Sequence, residues 1–384
     1  MYNVLDLFCG TGGFSYGLDS SCLGFKTRLG IDILPIAART FQANHPQAMT
    51  VVGDIRKARR ADIANRLRLN TGGVHVIVGG PPCQGFSSIR PFRSSIEDDP
   101  RNSLFEEYAS FVNFFRPAVF VLENVVGLAT HRDGKTIETI EECFRGIGYN
   151  TEWRILNAAH YGVPQKRERL IMLGAQKGIP LIFPDPTHHF SGATIGHKDQ
   201  SRLLLPLPSN LFVPNNSLLK PVVSVMNAIS DLPEIQAGEE ARRYDKYPCS
   251  DYQKERRTRS KELTLHSATA HTRKMMEIIR HSGKNISSIP KHLISSGFSS
   301  CYSRLDANQP AVTITVNFVH PASNRCIHPL QHRALTPREG ARLQSFDDDF
   351  IFMGNRTQIV KQIGNAVPPL LGKALARSIA QMLR

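Results

Sequence analysis

The stretch Gly79-Gly80-Pro81-Pro82-Cys83-Gln84-Gly85-Phe86-Ser87 decides how the rest of the chain is read. An apolar run, Val74 to Val78, leads into it and reads as a buried strand. A glycine pair breaks that strand, and two prolines stiffen the backbone just before a single cysteine. The glycines leave room for close approach. A thiol presented in this way suits the carboxyl edge of an open α/β sheet, where such folds place their ligands. A structural cysteine buried after a tight turn would look the same in isolation. The surrounding chain separates the two.

Toward the N-terminus, Tyr2 to Phe8 reads as a first strand. Asp6-Leu7-Phe8-Cys9-Gly10-Thr11-Gly12-Gly13-Phe14 follows, and a helical pattern then runs through Leu18. Strand, glycine-rich turn and helix form the first unit of a nucleotide-binding sheet. The dinucleotide fingerprint G-x-G-x-x-G is absent, and no lysine follows as in a phosphate loop. The turn is therefore expected to approach a ligand that lacks a pyrophosphate. A second strand, Phe25 to Ile31, ends at Asp32, about 20 residues past the turn, where an acid holds ribose hydroxyls. A third, Met49 to Val52, is followed by Asp54-Ile55. Each acid alone would pass for a cap or a surface charge. Together at strand ends they predict an adenosine-containing cofactor.

Toward the C-terminus, Ile89 to Ser103 is polar and reads as a mobile loop. Phe105, Tyr108, Ala109, Val112 and Phe115 recur at helical spacing. Val119 to Leu122 reads as another buried strand, delivering Glu123-Asn124-Val125 to the same edge as Cys83. An acid one strand away from a presented cysteine is a general-acid candidate. Gln165-Lys166-Arg167-Glu168-Arg169 then runs into apolar Leu170 to Leu173. If the strand starts that early, alternation points Arg167 and Arg169 the same way.

Composition changes near Phe183-Pro184-Asp185-Pro186-Thr187, and regular periodicity is poor from there to about Leu335. Within it, Arg242, Arg243, Lys246, Lys254, Arg256, Arg257, Arg259 and Lys261 are interleaved with Tyr244, Tyr247 and Tyr252. That pattern suits phosphate contact with some stacking, though a solvated loop has the same composition. Thr336-Pro337-Arg338-Glu339 has the cap, first-turn proline and reciprocal acid of a helix start. Gln362 to Pro369 leads into a C-terminal helix, apolar on one face, expected to pack back onto the first domain.

The 384 residues are enough for two domains, and a net charge of +14 favours a polyanionic partner, nucleic acid first. Seven scattered cysteines without a CxxC pair exclude a disulfide framework and a cysteine-rich zinc site, so no metal is expected. No signal peptide and no membrane-spanning run is legible. An intracellular, reducing location follows as an expectation.

In this order, the blocks resemble the DNA (cytosine-5) methyltransferase family. Its cofactor loop is similar to Asp6–Gly13, its nucleophile motif to Pro81-Pro82-Cys83-Gln84 and its acid motif to Glu123-Asn124-Val125. Its arginine motif is similar to Gln165–Arg169, and its two C-terminal motifs to Leu335–Phe350 and Gly364–Val367. Only the segment between about 187 and 300 falls outside the likeness.

The resemblance implies an α/β fold: a Rossmann-like, S-adenosylmethionine-dependent catalytic domain with a smaller, irregular target-recognition domain. The expected division is 1–186 catalytic, 187–356 recognition, and 357–384 returning to the catalytic domain. Cys83, Glu123, Arg167 and Arg169 would be catalytic. Phe8, Gly10, Gly12, Gly13, Asp32, Ile33, Asp54, Ile55, Pro82, Leu104, Asn365 and Val367 would line the S-adenosylmethionine site. Gln84, Ser87, Arg256 and Arg257 would contact DNA. The implied partner is double-stranded DNA, bound by a monomer in a bacterial cytoplasm, near the nucleoid, with a cognate restriction endonuclease as a further partner. Two departures stand out. Ile33 replaces a common aromatic and supplies only aliphatic packing. Asp347 stands where the family often has proline in Ser345-Phe346-Asp347-Asp348, which is expected to loosen a turn without removing a chemical group.

The implied chemistry is covalent catalysis. The Cys83 thiolate adds to carbon 6 of cytosine and makes carbon 5 nucleophilic, Glu123 relieves charge at ring nitrogen 3, and an arginine holds the ring carbonyl. The base must first leave the duplex. A tRNA cytosine-5 methyltransferase usually carries a short recognition region with a Cys-Phe-Thr element, which is missing here. A non-catalytic DNA-binding relative would not need all the catalytic residues.

Overall fold

Alternating β-branched and leucine-rich runs build one central sheet. The computed structural model describes residues 1–69, 72–82, 103–192, 219–294 and 297–384. In chain order come β1 (Tyr2–Leu7), α1 (Gly13–Asp19), β2 (Phe25–Asp32), α2 (Pro35–Asn44), β3 (Met49–Val52) and α3 (Arg60–Leu67). Next are β4 (Val76–Gly79), α4 (Ser103–Phe115), β5 (Val119–Asn124), α5 (Lys135–Gly146), β6 (Tyr149–Asn157), β7 (Gln165–Lys166) and β8 (Glu168–Gln176). The seven-stranded sheet has the order β3-β2-β1-β4-β5-β8-β6. All its strands run one way except β8, which is antiparallel to both β5 and β6. The expected α/β architecture is therefore present.

Side-chain alternation sorts each strand between two helical layers. On one face Leu5, Leu7, Ile77, Phe120 and Leu122 pack with Ile63, Phe111, Phe115, Ile140 and Phe144 of α3, α4 and α5. On the other, Val4, Val76, Val78, Val119 and Val121 pack with Phe14 and Leu18 of α1 and with a C-terminal helix. The chain winds from β1 out to β3 and then returns to β4 on the other side of β1. That reversal opens a crevice at the carboxyl ends of β1 and β4, the position where doubly wound sheets bind ligands.

Beyond β8 the elements are short. They are β9 (His188–His189), β10 (Lys220–Pro221), α6 (Val225–Ile229), α7 (Asp251–Arg257), α8 (Arg273–His281), β11 (Ala311–Val312) and α9 (Pro337–Leu343). Last come α10 (Arg356–Asn365) and α11 (Pro369–Met382). The sequence-predicted cap of α9 is present. The Thr336 hydroxyl accepts the Glu339 N–H at 3.2 Å, and Glu339 Oε2 accepts the Thr336 N–H at 2.7 Å. A second core joins Val225, Ile229, Leu263, Phe318, Leu335, Leu343 and Phe346 to Ile359, Val360 and Ile363 of α10. Through Ile359, Val360 and Ile363, α10 packs with this second core. Only α11 returns to the sheet. There α1 and α11 touch backbone to backbone: a Cβ on Gly17 would lie 2.2 Å from the Pro369 carbonyl oxygen.

Among the described residues, no helix is long and apolar enough to cross a membrane, and no cluster of His, Cys, Asp or Glu could hold a metal ion.

Candidate active site

The turn after β1 carries the first half of the site. Phe8 takes a left-handed backbone conformation (φ 60°) as the chain leaves the sheet. Its ring and Leu104 pack against the cluster that contains Ile31, Ile55 and Tyr108. Asp32 ties the turn to the end of β2: its carboxylate accepts the Gly10 N–H and the Leu34 N–H, both at 2.8 Å. Burial pushes the Asp32 carboxyl up, while those two bonds favour its charged form. Ile33, next along, is 63% exposed. Ile55 is buried. Asp54 caps the short turn Ile55–Lys57, and the Arg56 side chain holds its carboxyl below the usual range.

The residues present fit an adenosine-bearing methyl donor. The Thr11 hydroxyl, in the middle of the glycine turn, is buried with no hydrogen-bond partner among the described residues. Gly10, at the same turn, would meet nothing within 4 Å among the described residues if it carried a Cβ. Gly13 is the reverse case. Its Cβ would lie 2.5 Å from the Val367 carbonyl oxygen, which places the Asn365–Val367 segment against the turn.

The second half lies at the ends of β4, β5 and β8. Glu123 and Arg169 form an ion pair, Oε1 to Nε 2.8 Å, with side chains 13% and 15% exposed. A Cβ on Gly80 would lie 2.8 Å from Glu123 Oε2, so the chain leading to Pro81 and Pro82 passes beside that carboxylate. Asn124 Nδ2 donates to the Pro81 carbonyl at 3.0 Å and fixes that approach. Cys83, Gln84 and Ser87 lie outside the described residues, as does most of the segment read as a mobile loop.

Arg167 does not join Arg169 in direction. The strand over this stretch is broken: β7 ends at Lys166 and β8 starts at Glu168. The Arg167 guanidinium turns toward the smaller region, donating to the carbonyls of Ile314 (3.3 Å) and Gly364 (3.2 Å). Burial, and then the Arg169 charge, work against its own charge, and Glu123 supports it. Gln165 does similar work. Its amide donates to the Leu343 carbonyl at 3.1 Å and accepts the Ile314 N–H at 2.8 Å. The arginine motif thus presents one cation beside Glu123 and uses the other residues to seat the second region on the sheet.

Arg256 and Arg257, expected at the DNA, both have partners within the protein. Arg256 is buried, donating to the Ser345 carbonyl at 3.0 Å and pairing with Asp347 at 2.9 Å. Arg257 stacks 3.7 Å over the Tyr244 ring and pairs with buried Asp231 at 3.2 Å. Helical spacing in α7 turned these two inward, while Arg242, Arg243, Lys254 and Lys261 stay exposed. Accordingly, Arg257→Gln should cost about 1–3 kcal/mol of stability, through a buried carboxylate deprived of a partner. The salt dependence of duplex binding should not change. A salt slope reduced by about one would place Arg257 on a phosphate after all.

Asp347 also departs from expectation. It accepts the Tyr16 hydroxyl at 2.8 Å and pairs with both Arg256 and Arg259, so it joins α1 to α7 instead of merely loosening a turn. Asn124, Gln165 and Asp347 gained their roles from contacts distant in sequence.

Comparison with known proteins agrees with this arrangement. At 34% identity over 381 residues, the chain is similar to the Type II methyltransferase M1.HphI of Haemophilus parahaemolyticus, covering 98% of this chain and 86% of that one. It is 31% identical to the Type II methyltransferase M.AgeI of Thalassovita gelatinovora, with 98% of each chain covered. Its fold matches a prophage-encoded E. coli protein described as a DNA modification methyltransferase, with TM-score 0.74 at 23% identity, covering 100% of this chain and 99% of that one. The profile of C-5 cytosine-specific DNA methylases matches residues 2–381, and the chain belongs to that family.

Proposed function

We propose that this protein methylates carbon 5 of cytosine within a specific double-stranded DNA sequence, with Cys83 as nucleophile. The observation that carries the catalytic assignment is the Glu123–Arg169 ion pair, one strand away from β4 and beside the backbone that leads to Pro82 and Cys83. Bound S-adenosylmethionine supplies an electrophilic methyl group. Phe8, Asp32, Ile33, Asp54, Ile55, Leu104, Asn365 and Val367, around the glycine turn, would hold it. The Cys83 sulfur forms a bond to carbon 6, and the displaced π electrons make carbon 5 nucleophilic. Glu123 donates to ring nitrogen 3 and Arg169 holds its carboxyl in place and faces the ring carbonyl. Arg167 is a positioning residue that seats Ile314 and Gly364. After carbon 5 has been alkylated, water takes its proton, the C–H electron pair re-forms the 5,6 double bond, and the C6–S pair leaves with the Cys83 thiolate.

The relatives named as Type II methyltransferases support a place beside a cognate restriction endonuclease, and the +14 charge supports a nucleic-acid partner. A monomer acting on DNA in the bacterial cytoplasm is part of the same proposal. Expression in a methylation-deficient host, followed by chemical conversion and sequencing of its DNA, should show one short motif with protected cytosine. Uniform conversion would refute the assignment. Glu123→Gln should lower turnover roughly 100- to 10,000-fold, the usual worth of a positioned proton donor, with S-adenosylmethionine affinity unchanged. A turnover within threefold of wild type, on the order of experimental scatter, would remove Glu123 from the chemistry.

A further inference from the structure

We infer that His45 is a positioning residue for the glycine turn, holding the Gly12 carbonyl through a proton that it shares with Asp6 by way of Ser15. The inference rests on that turn being the S-adenosylmethionine site. His45 stands at the end of α2, 33 residues from Gly12 in sequence and directly beneath it in space. A Cβ on Gly12 would lie 2.8 Å from His45 Nε2. The ring is 2% exposed and stacks on Phe41, with centroids 4.5 Å apart.

Each ring nitrogen has defined neighbours. Nδ1 lies 3.1 Å from Asp19 Oδ2, and the other Asp19 oxygen accepts both the N–H and the hydroxyl of Thr27 at 2.9 Å. Nδ1–H therefore donates to Asp19. Nε2 faces two oxygens, Gly12 O and Ser15 Oγ, each at 3.4 Å. Ser15 Oγ is in turn 2.6 Å from Asp6 Oδ2 and 3.2 Å from Gly12 O. Gly12 O also accepts the Tyr16 N–H at 2.8 Å, so its position sets the start of α1.

Proton counting gives two satisfied states. In one, Nε2 is protonated and donates to Gly12 O, while Ser15 donates to an ionised Asp6. In the other, neutral Asp6 donates to Ser15, whose own hydrogen turns to Nε2. Each needs one proton beyond those on Ser15 and Nδ1. Without it, the single Ser15 hydrogen goes to Asp6, and Nε2 meets the Gly12 carbonyl lone pair to lone pair. Burial pushes the Asp6 carboxyl up to about 7, with Ser15 and His45 opposing and Asp32 adding to the rise. The remaining titratable neighbours do not compete. Burial keeps Cys9 and Tyr108 protonated, and burial and then Asp347 hold Tyr16, edge-on to the His45 ring, protonated against the opposing charge of Arg259. The proton is thus present below neutrality and is lost as pH rises through it, and the turn loses its anchor with it.

The test is calorimetric titration of the full-length protein with S-adenosylmethionine across neutral and alkaline pH. Wild-type affinity should fall as pH rises. His45→Phe keeps the stacked ring but has no donor, and should bind roughly tenfold more weakly at neutral pH. In turnover, that variant should show a raised KM for S-adenosylmethionine and an unchanged kcat. His45→Gln places an amide donor that needs no shared proton, so it should recover most of the affinity and flatten the pH profile. Wild-type affinity in His45→Phe, or equal pH dependence in wild type and His45→Gln, overturns the inference. If His45→Phe does not fold, the His45→Gln profile decides alone. Asp32→Ala separates the two levels, because it should weaken binding whatever His45 does. Absence of binding by the wild type would overturn the cofactor reading, and the inference with it.

Discussion

A duplex with 5-fluorocytosine at the target position should become methylated and stay bonded to the protein through Cys83. The reaction ends only when carbon 5 gives up its hydrogen as a proton and the thiolate is expelled. Fluorine at that carbon does not leave in this way, so the bond between sulfur and carbon 6 persists. The adduct should require S-adenosylmethionine, survive denaturing electrophoresis, and map by mass spectrometry to the peptide that contains Cys83. Cys83→Ser should abolish it, because a hydroxyl is far harder to ionise than a thiol at neutral pH. Cys9, the cysteine of the glycine turn, is no substitute. It is buried, and burial, reinforced by the charges of Asp6 and Asp32, pushes its thiol well up and away from the reactive thiolate form. A stable adduct on Cys9, or on any cysteine other than Cys83, would refute the nucleophile while leaving the methyltransferase activity in place.

The largest expected loss of stability belongs to Arg342→Ala. The Arg342 side chain is fully buried in α9 between two buried carboxylates. Nε and Nη2 each donate to Asp348 at 2.6 Å, and Nη1 donates to Asp231 at 3.1 Å and to the Ala228 carbonyl at 2.9 Å. Arg338 and Tyr244 complete the shell around Asp348. Truncation strands buried carboxylates, a change that costs about 3–5 kcal/mol. Arg342→Lys keeps a charge but loses the planar fork, and should cost less.

The pH dependence has a definite sign. Burial raises the Asp348 carboxyl, but the Arg342 bonds outweigh burial and hold it below the ordinary range. A folded-state pKa below the unfolded one contributes stability that is present above about pH 4 and is lost as pH falls further. In Arg342→Ala burial prevails, and Asp348 titrates upward instead. The stability gap between wild type and variant should therefore be wider near neutral pH than in mild acid. Urea melts at the two conditions would measure it. A gap that widens toward acid would mean that Arg342 does not govern the charge on Asp348.

The sheet edge and the candidate residues along it were legible in the sequence, because their signals are local. Glycine spacing after Tyr2–Phe8, acids at the ends of Phe25–Ile31 and Val119–Leu122, and the proline pair before Cys83 all lie within a few residues of the strand that positions them. Strand ends in one sheet converge, so listing them in order was enough to assemble Asp32, Glu123 and the chain to Pro82 at one edge. The cap of α9 was legible for the same reason. Only tertiary structure decided the partners of long side chains. Arg167 and Arg169 are two residues apart, yet one faces Glu123 and the other reaches carbonyls at Ile314 and Gly364. Arg256 and Arg257 read as phosphate contacts because charge is visible in sequence and burial is not. Their carboxylates, Asp347 and Asp231, come from positions 91 and 26 residues distant, and without its partner the Arg256 guanidinium could not leave water. His45 under Gly12 follows the same rule: the contact exists because α2 folds back across the turn, and a periodicity confined to one element carries no trace of it.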